Sequence, residues 1–473
     1  MTQHYFSQDP NFPTKTVVSA LFIAAFLGYL NETLLNVALT TLMHEFAVSK
    51  QSIQWMTTGF FLVMGAFTPL TASILLWFKT KTMALLTLGI FLLGSLICAF
   101  AVNFPMLLGG RLIQALSAAC AVPLLINAIL AIFPPEKRGR AMSLVMVIFT
   151  VAPAIGPTLS GIIVDTLGWR YLFLATVPFV LLAMLMIAFT LKHNLMEQTR
   201  PKIDVISVLQ SFIGFGSLVY TTSQFTQLAL WQFVGLLVLA VSFIAFFAKR
   251  QFSLGTPLLD LRVFKVAQFR YSMIIVFFAY ALFMGLEFLL PMYMQQVLLF
   301  SATVTGFVLM PASIAEAVFA PIFGTILDKK GGRPVLLISG VVMSLAMSLL
   351  WLLITENTAE AVLACIFALF AVSVSAAATG ETHGLNHLSK AQNPHGTAIA
   401  GMIMPISGAL GVAFFIGVVQ IGEQISTKPT ALLTMLDGVQ LSIGISVIFA
   451  FIVLFLATKI RTLYDLNGEK NGH

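Results

Sequence analysis

The chain has 473 residues, of which 59% are apolar and 9% charged, with a formal net charge of +7. A soluble globular domain runs nearer 45–50% apolar and ~25% charged. Composition therefore excludes a water-soluble enzyme, a disordered chain, a coiled coil and an outer-membrane barrel, whose strands only alternate. At ~20 mostly apolar residues per transmembrane helix, about 279 apolar residues leave room for at most about fourteen helices and little else.

Taken in chain order, a polar tail at 1–15 shows no cleavable signal pattern. Apolar runs between polar breaks then predict helices over 16–42, 53–78, 82–102, 105–133, 141–166, 169–191, 205–225, 230–248, 271–296, 303–326, 334–355, 359–384, 397–422 and 440–458, followed by a tail at 459–473. With a cytoplasmic N-terminus, 21 of the 25 Lys and Arg fall in loops or tails on the cytoplasmic side. The outer loops keep Lys50, Arg170 and Lys428, and Arg111 lies inside a span. That asymmetry follows the positive-inside rule and predicts both termini in the cytoplasm. It also gives the basic charge a use other than nucleic-acid binding.

No GxxxxGK[ST] phosphate loop occurs, so ATP-driven export by this chain alone is not expected; the energy must come from a gradient or from a partner, and no cofactor or metal is expected. Cys98, Cys120 and Cys365 lie in apolar runs without a CxxC pair and read as buried thiols.

Ionisable groups at membrane depth cost at least ~2.5–3.5 kcal/mol each, so each needs a reason. Glu32 shares one helix face with Asn36 and Thr40 at i+4 and i+8. The bland reading is hydrogen-bonding between helices, but Asn would serve that purpose, so a proton or cation role is expected. Glu287 has Tyr280, Phe283 and Met284 at i−7, i−4 and i−3, an aromatic face with one carboxylate that suits an organic cation. Glu316 sits between Pro311 and Pro321, which loosen its helix. Arg111 cannot shed its proton and needs a carboxylate, carbonyls or water; Glu32 and Asp165 are the acids at comparable depth. A structural ion pair and the tuning of a carboxyl are both open for it. Glu381, His383, His387 and His395 sit at a solvated helix end, where a metal is not expected.

Six segments resemble the major facilitator superfamily and, within it, the fourteen-helix drug:proton antiporter branch. NETLLNVAL (31–39) is similar to the helix-1 pattern of that branch, GRLIQALSAA (110–119) to its helix-4 motif, and VAPAIGPTLSG (151–161) to its helix-5 antiporter motif. GTILDKKGGR (324–333) resembles the loop between paired helices, and PLLDLRVF (257–264) and HGTAIAGMIMPISGALGVA (395–413) also look like this branch. The helix-1 Asp of the branch is replaced by Asn31 with Glu32 beside it, a turn of ~100° around the helix. The first cytoplasmic loop, SILLWFKTK (73–81), lacks the expected Gly, Asp and Arg.

The resemblance implies an all-α fold: an N-terminal six-helix half over 16–191, a C-terminal half over 271–458, and a linker region at 192–270 holding the two extra helices. In the gate, Gly156, Pro157, Ser160 and Gly161 would let helices approach closely, while Asp328, with Gly324, Lys329 and Arg333, would close the inner end by charge. The function so implied is proton-coupled export of amphipathic, often cationic compounds by alternating access. It needs only substrates, protons and the bilayer, and a monomer suffices. The branch is chiefly bacterial, and the implied location is the cytoplasmic membrane. In this reading Glu32, Arg111 and Glu287 handle the proton, and Glu316, Glu287, Asn36, Tyr280, Phe283 and Met284 meet the substrate. The alternative is a same-fold exporter of a lipid, peptide-like compound or other endogenous metabolite. A membrane enzyme would need a clustered His/Asp or Ser/His/Asp set, and none is evident.

Overall fold

The structure, a computed structural model, describes residues 5–196, 198–199, 204–255, 257–389 and 392–461. The last twelve residues of the predicted C-terminal tail, 462–473, and residues 1–4 of the N-terminal tail lie outside the described residues. Among the described residues the secondary structure is helical, without a strand.

The first group of helices runs α1 (Thr14–Leu34), α2 (Leu39–Phe46), α3 (Lys50–Ile53), α4 (Trp55–Leu75), α5 (Thr80–Ala99), α6 (Phe104–Ile132), α7 (Pro135–Thr166), α8 (Arg170–Leu174) and α9 (Val177–Thr190). A pair, α10 (Val205–Gln224) and α11 (Leu230–Ser253), follows. The second group is α12 (Ala267–Gln296), α13 (Ala302–Lys330), α14 (Gly332–Leu353), α15 (Glu360–Asn386), α16 (Asn393–Ile425) and α17 (Ala431–Thr458). Side-chain caps start several of them: Asn103 accepts from the Met106 amide, Ser301 from Val304 and Thr430 from Leu433. Pro123, Pro291, Pro311, Pro321 and Pro405 sit inside helices, as membrane helices tolerate when neighbours satisfy the freed carbonyls.

Among the described residues, twelve helices are long and apolar enough to cross a membrane, so the expected count of fourteen is not reached on that measure. The long helices outside that number are α4 and α7, of 21 and 32 residues, at the places expected for the second and fifth spans. Helix α7 starts at Pro135, so the charged stretch EKRGR, expected in a loop, is wound into its first turns. The predicted helix over 16–42 is also corrected: it breaks at residues 35–38 into α1 and α2. The freed Val37 carbonyl accepts a bond of 2.9 Å from the Gln295 side chain on α12, which is how a broken helix satisfies its backbone away from water.

Burial is inverted relative to a soluble protein. Helix α11 leaves Leu230, Trp231 and Val238 exposed along one face. In water that would be an aggregation patch; in a bilayer it is the ordinary outer surface. Cys98 and Cys120 are buried, whereas Cys365 is exposed on α15, contrary to the expectation of three buried thiols. Its apolar run turns that position outward, where lipid rather than protein surrounds it.

The two groups meet along α2 with α12, α4 with α16, and α7 with α13. The helix ends that carry Thr14 and Thr458 form one end of the bundle, here the terminal end; the opposite, distal end holds Lys50, Asp165, Ser301 and Glu423. Bonds joining the groups run from mid-depth to the distal end. Lys50 pairs with Glu423. The Thr303 amide donates to Asp165 Oδ2 at 2.7 Å, and Thr158 Oγ1 to the Gly306 carbonyl at 3.1 Å.

Candidate functional site

Helix α1 carries Glu32 eighteen residues beyond Thr14, ~27 Å along its axis. Asn31 and Glu32 are both buried, yet one residue of helix separates their directions by ~100°. Asn31 turns into the first group. Its Oδ1 accepts from Arg111 Nη1 at 2.9 Å and its carbonyl from the same nitrogen at 3.2 Å. Arg111 Nη1 also reaches Gln114 Oε1 at 3.2 Å, and Gln114 Nε2 donates to Ser95 Oγ at 2.9 Å. The Arg111 guanidinium lies 4.4 Å over the Phe60 ring, a cation–π contact in a dry setting. Arg111 is fully buried, and its Nε and Nη2 have no hydrogen-bond partner among the described residues. The carboxylate partners expected for it, Glu32 and Asp165, are not what it bonds; Asn31 holds the azimuth that faces α6, and Asp165 is taken by α13.

Glu32 turns the other way, into the seam between the groups. Its Oε1 accepts from the Tyr280 hydroxyl of α12 at 3.0 Å. One turn further along, Asn36 Nδ2 donates to Glu287 Oε2 at 3.5 Å, and Asn36 Oδ1 accepts from Thr57 Oγ1 at 3.3 Å. Glu287 is buried and lies within electrostatic reach of both Glu32 and Glu316. Glu32 and Glu287 from the proton set and Asn36 and Tyr280 from the substrate set therefore line the same seam, while Arg111 stands apart with Asn31.

Aromatic rings floor this cluster. Phe283 stacks on Phe367 with centroids 6.3 Å apart, Phe367 on Phe370 at 6.2 Å, and Tyr280 tilts against Phe283 at 6.4 Å. Met284 packs where a Cβ on Gly408 would come, 3.1 Å from that position. Glu316 is half-buried on α13; its carbonyl accepts from Ser375 Oγ at 3.4 Å, and no hydrogen bond holds its carboxyl among the described residues. Sequence reasoning missed Thr57, Phe60, Gln114, Ser95 and Phe367. The i+3 spacing of Gln114 from Arg111 was a usable signal, whereas Thr57 and Phe367 come from distant helices that no local pattern points to.

The small-residue motif in α7 sits at the seam with α13. A Cβ on Gly161 would fall 2.9 Å from Thr303 Cα, and one on Gly306 would fall 2.6 Å from the Pro157 carbonyl oxygen. Gly156 faces Thr33 of α1, and Ser160 is fully buried. The loop residues behave differently. Asp328 and Lys329 are exposed, Gly324 has open space before it, and among the described residues no ion pair links Asp328 to Lys329 or Arg333. The charge network expected there is absent in this conformation, which is closed at the other end. Glu381, His383, His387 and His395 do not come together as a three-ligand group among the described residues; the His395 ring instead accepts from the Asp260 amide at 3.2 Å.

The pattern described as the Major Facilitator Superfamily matches residues 21–412. The lincomycin resistance protein LmrB of Listeria monocytogenes is 32% identical over 411 residues, covering 86% of this chain and 87% of that protein. The multidrug export protein EmrB of Escherichia coli is 29% identical over 313 residues, 66% of this chain and 61% of that protein. Among solved structures, a bacterial homologue of the human lysosomal transporter Spinster, inward-facing and unoccupied, matches with a TM-score of 0.67 at 15% identity, over 94% of this chain and 97% of that one. At that identity the structural likeness speaks for the fold alone.

Proposed function

The chain belongs to the major facilitator superfamily of membrane transporters, and from that premise we propose that it is a proton-coupled exporter of amphipathic, often cationic compounds. The observation that carries the proposal is Glu32, buried within the bundle and bonded across the seam to Tyr280, with Glu287 two turns further along α12. A carboxyl holds either a proton or a cation, not both at full strength. Placed between two groups of helices, the choice becomes a choice between arrangements of those groups. An ionised Glu32 makes a charge-assisted bond to Tyr280, about twice as strong as a neutral one. Loading a proton weakens that tie and frees the seam to open.

In this proposal Glu32 couples the proton, and Glu316, with Glu287 and the Phe283–Phe367 rings, meets the cationic end of a substrate. Arg111 holds α1 against α6 through Asn31. The names of the two relatives support export of drugs as the direction of transport. Fourteen spans are part of the same reading: α4 and α7 join the twelve, and α10 with α11 form the extra pair between two six-helix halves. The basic residues gathered on the terminal end support the reading that this end faces the cytoplasm of a bacterial cell. In this reading the protein works as a monomer, and the bonds between the groups near the distal end seal the side away from the cytoplasm. Export of an endogenous lipid or peptide-like metabolite is the second reading, favoured by the long aromatic floor.

The test is proton release from purified protein on addition of cationic, neutral and anionic compounds. Release that follows the cations supports the proposal; binding without any release, across the panel, refutes proton coupling.

A further inference from the structure

A cavity of about 670 Å³ opens at the terminal end of the second helix group, remote from the seam. Its lining includes Gln268 and Tyr271 of α12, Arg333 of α14, His387 after α15, and Lys459 and Arg461 after α17. Every charged side chain in that lining is basic, and among the described residues neither Arg333 nor Lys459 is in an ion pair. Helices α12 and α14 both begin at the cavity, and neither has a side-chain cap. Their first amides and helix dipoles add positive potential in the same direction. His387 bonds the His383 carbonyl through Nδ1 at 2.8 Å, and its Nε2 is buried without a partner among the described residues. The Arg461 amide donates to Gln268 Oε1 at 2.9 Å, fixing the end of α17 beside the cavity.

Such a convergence of cations and two helix starts suits a phosphate oxyanion. The surroundings select its source. The exposed face of α17 next to the cavity is apolar, with Ile448, Phe451 and Phe455 at 59%, 52% and 61% exposure, and Lys459 Nζ stands 5.3 Å over the Phe455 ring. A phosphate held by the cavity could lay acyl chains along that face.

We infer that this cavity is a binding site for the phosphate headgroup of an anionic membrane lipid, in the leaflet at the terminal end. The inference rests on the chain being membrane-embedded and not on what it transports. Basic pockets between helices at this level are a physical match for such headgroups.

Native mass spectrometry of the full chain, with phosphatidylglycerol and phosphatidylcholine offered at equal concentration, tests it. Phosphatidylglycerol should be retained preferentially, with retention falling roughly 5-fold for each charge removed in Arg333→Gln and Lys459→Gln. Lys459→Arg should keep it, which separates lost charge from lost folding. Equal retention of both lipids, or unchanged retention in the double Gln variant, overturns the inference. Displacement of phosphatidylglycerol by millimolar inorganic phosphate overturns the lipid source and leaves a soluble phosphate site.

Discussion

Asn31 and Glu32 are neighbours in the chain and belong to two different parts of the molecule. Asn31 enters a network inside one helix group, with Arg111, Gln114 and Ser95. Glu32 enters a bond between groups, with Tyr280. Both residues are buried and both are bonded, so burial alone does not distinguish them. What differs is whether the partner moves with the residue. A bond inside one rigid group sets shape, whereas a bond across the seam reports and controls the relative position of the groups.

Substitutions at the two positions should therefore fail in different ways. Glu32→Gln has the largest expected effect: gradient-driven efflux in vesicles drops to the level of empty vesicles for every substrate, while direct binding by fluorescence remains. Efflux at the normal rate would make this carboxyl structural. Next is Asn31→Leu, which removes one of the two side-chain acceptors of Arg111 and should cost about 2 kcal/mol of stability, the scale of a hydrogen bond to a charged group. Thermal unfolding in detergent reads this directly. Asn31→Asp should raise the midpoint instead and leave Glu32-dependent coupling in place. If Asn31→Asp abolishes coupling while folding normally, the two networks are one.

Tyr280→Phe removes only the bond across the seam. Loss of one charge-assisted hydrogen bond should reduce transport by roughly 10-fold, with little change in unfolding temperature. Asp328→Asn should change turnover by about 2-fold or less, the scale of an exposed ion pair made in only part of the cycle. A stopped-flow transport assay separates these two.

The smallest effect lies outside both networks. Arg250 holds Asp204 in a two-pronged bond of 2.7 and 2.9 Å. That guanidinium keeps the Asp204 carboxyl down at about 2, against an ordinary value of about 3.9. The group's contribution to stability is therefore present above about pH 4 and lost as pH falls towards 2. Asp204→Asn should shift thermal unfolding at neutral pH by about 1 °C, the scale of a surface pair in a chain of this size. A shift of similar size at pH 2 would exclude this cause.

Much of the helical architecture was legible because apolar runs are a local signal. The break at residues 35–38 was not legible, because Gln295, which satisfies the freed Val37 carbonyl, lies on another helix. The burial of Glu32, Glu287 and Arg111 was equally visible as charge in apolar runs. Their partners were not. The replacement of the usual Asp by Asn31 pointed to a rotated carboxyl, but only the fold decides that the rotation faces α12 rather than α6. The exposed Asp328 illustrates a different limit: the motif pointed to a charge network, and among the described residues no ion pair forms at this position.

The contact of α7 with α13 has a consequence for how the protein spends its time. Gly161 and Gly306 bring backbone against backbone with no side chain between. Attraction across such close surfaces combines dispersion with short hydrogen bonds, as from Thr158 to the Gly306 carbonyl and from Thr303 to the Gly161 carbonyl, and both are forfeited over the first ångström or so of separation. The contact therefore behaves as a snap rather than a spring: it stores little energy along the way and holds no half-open position. A population of molecules should show two discrete spacings across this junction, exchanging abruptly, with the traffic between them setting the pace of the cycle.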